Sequence, residues 1–218
     1  MNPLSPGEDS VFMKRLGILL SGRGSNFIAI ADNIAAGKIP GAEIAVVISN
    51  KPYVPGIEAA EQRGLNAYVI QGKGLSRTEH DAAIVARLRE HKVDLVCLAG
   101  YMRLLTSVFL GAFSERVLNI HPSLLPAFPG LDAQRQAFEY GAQISGCTVH
   151  FVDEHLDHGV IVVQRSVPVV ETDDEHTLSE RILEQEHVAY SEGIRMVLSG
   201  QYEIQGRRYV KKQVIRIE

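Results

Sequence analysis

Residues 16–27 read Leu16-Gly17-Ile18-Leu19-Leu20-Ser21-Gly22-Arg23-Gly24-Ser25-Asn26-Phe27, an apolar run that breaks into a glycine loop. Leu16–Leu20 suits a buried strand. After the loop Phe27, Ile30, Ala31 and Ile34 recur at helical spacing, and Gly37 and Pro40 close the helix. Strand, glycine turn and helix open a βαβ unit, and the pattern repeats outward. Ile44–Ile48, Ala67–Ile70, Leu95–Leu98 and Val117–Ile120 are further short apolar runs. Ser76 and Glu79 form a capping box ahead of Ile84, Val85 and Leu88. This alternation predicts right-handed crossovers and an α/β fold: a mostly parallel, twisted, Rossmann-like sheet with helices on both faces.

The rhythm changes in the second half. Cys147–Val152 and Val160–Val169 flank a short polar loop, which predicts an antiparallel addition to the sheet. Thr172 and Glu175 then read as a capping box for a long helix reaching about Leu198. Residues 1–14 carry prolines, glycine and acids without periodicity and are expected to form a loose leader. A single domain over 15–210 and a short tail over 211–218 complete the expected organisation of the 218 residues.

Apolar residues make up 45% and charged residues 22%, and 22 basic against 26 acidic residues leave a net charge of −4. No basic excess marks a protein held to nucleic acid or an anionic membrane by bulk charge. Cys97 and Cys147 are the only cysteines, without metal-ligand spacing. No segment resembles a signal peptide or a membrane span. The expectation is a soluble cytoplasmic protein, monomer or homodimer, that acts on small molecules.

Sites in open α/β sheets lie beyond the carboxyl ends of the strands. The loop Ser21–Asn26 is at such an end. Its glycines and the following helix N-terminus favour an anion, and Ser25 and Asn26 add donors. The dinucleotide fingerprint fails, because Phe27 takes the third glycine position and Ser49-Asn50-Lys51 replaces the acid after the second strand. Asn119 and His121 share one face of a strand end, with Ile120 opposite and Pro122 as the stop. An amide donor beside an imidazole suits chemistry that builds an oxyanion and moves a proton.

Two further features carry charge. Asp153-Glu154-His155-Leu156-Asp157-His158 holds five titratable groups. They read as a solvated hairpin loop, as a metal site built from His150, His155 and His158, though those ligands scatter over a strand and a loop, or as the source of a carboxylate, Asp157, for His121. In the last helix Glu186 falls amid the apolar arc of Leu178, Ile182, Gly193 and Val197. A carboxylate there needs an arginine or a bound amine or hydroxyl.

The run Asn119-Ile120-His121-Pro122-Ser123-Leu124-Leu125-Pro126, followed by Phe128-Pro129-Gly130, resembles the signature of the folate-dependent formyltransferases. The resemblance extends from about Arg15 to Tyr209 through Gly24-Ser25-Asn26, Met102-Arg103-Leu104-Leu105, Asp153–Asp157 and Gln185-Glu186-His187, in order. It implies an enzyme of purine biosynthesis that moves a formyl group from 10-formyltetrahydrofolate to the amine of 5'-phosphoribosylglycinamide, without a metal. It further implies that Asn119, His121 and Asp157 are catalytic. Gly24, Ser25, Asn26 and Glu186 would hold the ribonucleotide. Arg77, Met102, Arg103, Leu104, Leu105 and Asn119 would meet the folate, with Asp153, Glu154, His155, Leu156 and Asp157 wrapping its pterin. His155, where some family members carry an acid, and Arg23 beside the phosphate loop both fall outside the catalytic trio. Relatives with the same signature include a tRNA formyltransferase with a further C-terminal domain and a deformylase with a further N-terminal one. Chain length favours the purine enzyme. A 10-formyltetrahydrofolate hydrolase and a non-catalytic folate- or nucleotide-binding module are the alternatives.

Overall fold

A computed structural model describes residues 13–213; most of the expected leader and residues 214–218 of the expected tail lie outside them. In chain order the elements are β1 (Lys14–Leu20), α1 (Ser25–Ala35), β2 (Ala42–Ser49), α2 (Pro55–Gln62), β3 (Ala67–Val69), α3 (Arg77–Glu90), β4 (Leu95–Leu98) and α4 (Ser107–Ala112). There follow β5 (Val117–His121), α5 (Ala133–Tyr140), β6 (Ile144–Phe151), β7 (Ile161–Pro168), α6 (Glu175–Leu198), β8 (Tyr202–Gln205) and β9 (Arg208–Lys211). The strands form one sheet in the order β3-β2-β1-β4-β5-β6-β7-β9-β8. The first five strands pair in parallel, and β6 and β7 each run antiparallel to the strand before.

Apart from β3, a half-exposed edge strand, the apolar runs of the parallel half are buried on both faces. Leu16, Ile18 and Leu20 pack with Phe27, Ile30, Leu178, Ile182 and Tyr190 on the α1–α6 side. Leu19, Val46 and Ile48 pack with Ile84, Val85 and Leu88 of α3 on the other. Alternate residues of one strand thus feed two layers, as a period of two requires. The capping box of α3 forms as expected: Ser76 accepts from the Glu79 N–H, and Glu79 accepts from the Ser76 N–H.

The long helix starts differently from expectation. Its cap is Asp174, which accepts from the Thr177 N–H at 2.8 Å while Thr177 Oγ1 accepts from the Asp174 N–H at 3.0 Å. The box of Thr172 with Glu175 does not form. Asp173 takes both guanidinium nitrogens of Arg181 at 2.7 Å and the Val170 N–H at 2.8 Å, which holds residues 170–173 in a turn outside the helix. Aspartate is at least as good a cap as threonine, so the helix begins two residues later. The hairpin of β8 and β9 was not expected at all, and β9 runs on to Lys211, the first residue of the expected tail. Among the described residues no helix is long and apolar enough to cross a membrane.

Tyr190 ties α6 to the strands that matter for the site. Its fully buried hydroxyl lies 3.1 Å from the carbonyl of Leu98, the last residue of β4, and 3.0 Å from that of Leu118, the second of β5. Tyr190→Phe should lower the free energy of unfolding by about 1–3 kcal/mol in urea titrations, the cost of leaving a buried polar group unmet. An unchanged midpoint and slope would show that these carbonyls do not need it.

Candidate active site

The strand order reverses between β1 and β4, which opens a crevice beyond their carboxyl ends. Ser21 knits its walls together. Its N–H donates to the Gly100 carbonyl at 3.1 Å, its hydroxyl donates to Asn50 Oδ1 at 2.6 Å, and the same hydroxyl accepts from the Met102 N–H at 2.9 Å. Gly24, the N-cap of α1, has φ +74°, and a Cβ there would lie 3.0 Å from Gly56 Cα. Both the backbone conformation and the space therefore call for glycine. No side chain caps α1, so its first-turn N–H groups are left for an anion.

Asn26, just inside that helix, donates from Nδ2 to Glu186 Oε2 at 2.7 Å. Glu186 is 7% exposed, and among the described residues no arginine pairs with it. Burial pushes its carboxyl above the usual range, and the Asn26 hydrogen bond pulls the other way. Asn26 Oδ1 is buried without a partner. The crevice thus has an acid and an amide oxygen ready for donors at one end and open N–H groups for an anion beside them.

Next along the sheet, β5 carries Asn119 and His121 on one face, and β6 sets His150 opposite Asn119 and Thr148 opposite His121. His121 Nδ1 is 3.4 Å from Asp157 Oδ2, and its Nε2 is 2.9 Å from the Phe128 carbonyl. With an acceptor at each nitrogen, the charged ring can donate at both positions. Asp157 is itself placed by the Gly130 N–H, which donates to Oδ2 at 2.8 Å, and its Oδ1 is 3.9 Å from His150 Nε2. Asn119 Nδ2 lies 3.2 Å from His150 Nε2. Of the three readings of the 153–158 loop, the structure therefore delivers a carboxylate to His121.

The loop after β5 is fastened from below. Thr148 Oγ1 donates to the Ser123 carbonyl at 2.7 Å and accepts from the Leu125 N–H at 3.0 Å, while Gln164 Nε2 donates to the Leu125 carbonyl at 2.8 Å. Along the rim Met102, Leu104 and Leu156 stand exposed, an apolar edge suited to a flat heterocycle. Arg77, at the start of α3, donates to the Leu104 carbonyl at 3.5 Å, and Arg103 packs against Gly72. Asp153 accepts from the His155 N–H at 2.9 Å and pairs with His158 at 2.9 Å, with Glu154 and His155 exposed beside it.

His150 turns inward to Asn119 instead of joining His155 and His158. The ligand-type atoms of Asp153, His155 and His158 do lie within 4.8 Å of one another, with the Arg207 guanidinium 3.1 Å from the His158 ring. Both cysteines are buried, and burial pushes each thiol up to about 12. That removes a thiolate nucleophile near neutral pH. The sequence alone marks His150 only as a candidate metal ligand and gives Thr148 and Gln164 no role. For His150 and Thr148 the signal is the period of two along β6, and Gln164 lies across from Thr148 on β7; both become useful only once the registers of β6 against β5 and β7 are known.

Glu186 yields a pH prediction. Its folded-state pKa is raised, so the folded state holds the proton more tightly than the unfolded chain, and stability is lost as pH rises through the carboxylate range. Glu186→Gln keeps an acceptor for Asn26 and removes the charge. Between about pH 4 and pH 8, where a carboxylate ionises, the Tm of the variant should exceed that of the unsubstituted protein at the upper end and converge with it at the lower. A difference independent of pH would show that Glu186 carries no buried charge.

The chain is similar to known proteins over most of its length. The sequence profile of the formyl transferase family matches residues 14–194. The chain is 40% identical over 187 residues to the phosphoribosylglycinamide formyltransferase of Bacillus subtilis, covering 85% of this chain and 95% of that protein. It is 46% identical over 189 residues to the trifunctional purine biosynthetic protein adenosine-3 of Drosophila melanogaster, of whose length it spans only 14%. A crystal structure of glycinamide ribonucleotide transformylase 1 from Symbiobacterium toebii superposes with a TM-score of 0.90 at 49% identity, covering 93% of this chain and 95% of that one. Mostly parallel strands followed by antiparallel additions are the fold that these matches share, and the chain belongs to the formyl transferase family.

Proposed function

We propose that this chain, with residues 15–210 as its single catalytic domain, transfers the formyl group of 10-formyltetrahydrofolate to the amine of 5'-phosphoribosylglycinamide. The observation that carries the reading is His121, held between Asp157 and the Phe128 carbonyl with Asn119 beside it. The ribonucleotide's phosphate takes the open N–H groups at Gly24, Ser25 and Asn26, and Glu186 accepts from its amine or hydroxyl groups. The folate lies along Arg77 and Met102 to Leu105, under the loop from Asp153 to Asp157. The substrates are small molecules, handled by a monomer or homodimer in the cytoplasm.

The neutral amine attacks the formyl carbon, and the carbonyl electron pair moves onto oxygen. Asn119 donates to that oxyanion, and the protonated His121 joins it by turning its Nε2–H from the Phe128 carbonyl to the oxyanion, while Asp157 orients the ring from Nδ1. The tetrahedral carbon then collapses. Its bond to the folate nitrogen breaks, that nitrogen takes up a proton, and the attacking nitrogen loses one. Formylglycinamide ribonucleotide and tetrahydrofolate leave. The substrate amine is the nucleophile, so the buried cysteines have no part.

Asn119→Ala and Asp157→Asn should each stay folded and lose at least about 100-fold in kcat, the scale of an oxyanion donor or a positioned acid–base pair. Turnover near the original rate in either variant removes that residue from the mechanism. Ser25→Ala should raise KM for the ribonucleotide about 10-fold, the worth of one hydrogen bond to a charged group, with KM for the folate unchanged. A change in the folate constant alone would contradict the phosphate assignment.

A further inference from the structure

His150 is 2% exposed and stands directly across from Asn119 in the β5–β6 ladder. Its Nδ1 is 2.7 Å from the Phe151 carbonyl. A carbonyl only accepts, so Nδ1 must carry the proton, and the neutral ring is left with a bare Nε2 that can only accept. Asn119 meets that nitrogen at 3.2 Å. Its carboxamide has two ends, and only the NH2 end can satisfy a bare nitrogen; Oδ1 there would set two acceptors against each other.

We infer that His150 is a positioning residue for the reaction proposed above: it fixes the orientation of the Asn119 carboxamide, so that the second N–H of Nδ2 is the one offered to the formyl oxygen. The inference rests on the reading of Asn119 as an oxyanion donor. A charged His150 would present a donor at Nε2 and turn the amide over, taking the N–H groups away from the reacting oxygen. Burial disfavours that charge, against the Phe151 carbonyl, Asp157 and Asp153, which favour it, while the neighbouring His121 opposes it. The same ring therefore does two things through Asn119: it selects which end of the amide faces the substrate, and it keeps a donor there at neutral pH.

Two substitutions separate this role from simple packing. His150→Asn keeps a polar atom level with Nδ1, for Phe151, and has nothing level with Nε2. His150→Gln can bring an amide oxygen to the Nε2 position. His150→Asn should lower kcat by about 10- to 100-fold with both KM values within about threefold, as expected when a donor is misplaced and binding is not. His150→Gln should recover kcat to within about fivefold of the original, and in an Asn119→Ala background His150→Asn should change kcat less than about threefold, since no amide remains to be oriented. Full activity of His150→Asn, or an equal loss in the Asn119→Ala background, overturns the inference while leaving the reaction intact. Full activity of Asn119→Ala removes the Asn119 assignment and the inference with it. Nitrogen-15 NMR of the unsubstituted protein needs no variant: the His150 ring should show a protonated Nδ1 and a bare Nε2, and the opposite tautomer overturns the assignment.

Discussion

The antiparallel pairing of β6 with β5 is the constraint on which the candidate site depends. Parallel strands alone would leave Asn119 and His121 at an open strand end. Reversing the next strand puts His150 and Thr148 directly across from them, and the loop after β6, which leaves beside the start of β5, reaches back to lay Asp157 against His121. One ladder therefore supplies the amide, the imidazole and the groups that hold each. The crevice at the β1–β4 reversal lies beside it, with an uncapped helix and Glu186. An anion and a flat heterocycle bound at these two places would meet in front of β5.

The fold carries costs at this site that a packed core would not tolerate elsewhere. Glu186 is buried with only an amide donor, Asn26 Oδ1 is buried with none, and Phe128 holds a left-handed backbone with φ 50° so that its carbonyl can face His121. A bulky residue in that region costs on the order of 1–3 kcal/mol. The compensation lies in the surrounding framework: Thr148 and Gln164 under the 122–126 loop, Tyr190 beneath β4 and β5, and Ser21 across the crevice. Binding free energy from substrates that satisfy the open acceptors would relieve the remainder.

The parallel half was legible because its signals are local. A strand buried on both faces is a continuous apolar run, and the Ser76–Glu79 box marks a helix start within four residues. Asn119 and His121 could be placed on one face by period alone. The start of α6 was not legible, because three successive candidates, Thr172, Asp173 and Asp174, compete for the cap and a distant Arg181 decides among them. The β8–β9 hairpin has four-residue strands with half of their residues exposed, alternating in β8 and at the two ends in β9, too little pattern to distinguish from a tail. His150 was visible as a residue but not as a partner of Asn119, since cross-strand register joins positions 31 residues apart. Asp157 could be named as the carboxylate for His121, but among five titratable groups in its loop the choice stayed open to spacing alone, because its distance to His121 depends on the loop's return.

The most direct test follows tetrahydrofolate release from 10-formyltetrahydrofolate with and without 5'-phosphoribosylglycinamide. The account predicts release only when the amine is present, in step with formylglycinamide ribonucleotide. Release at the same rate without the amine would mean that water is the acceptor and the chain is a hydrolase. Binding of both ligands without release would mean that Asn119, His121 and Asp157 form a binding site and not a catalytic one.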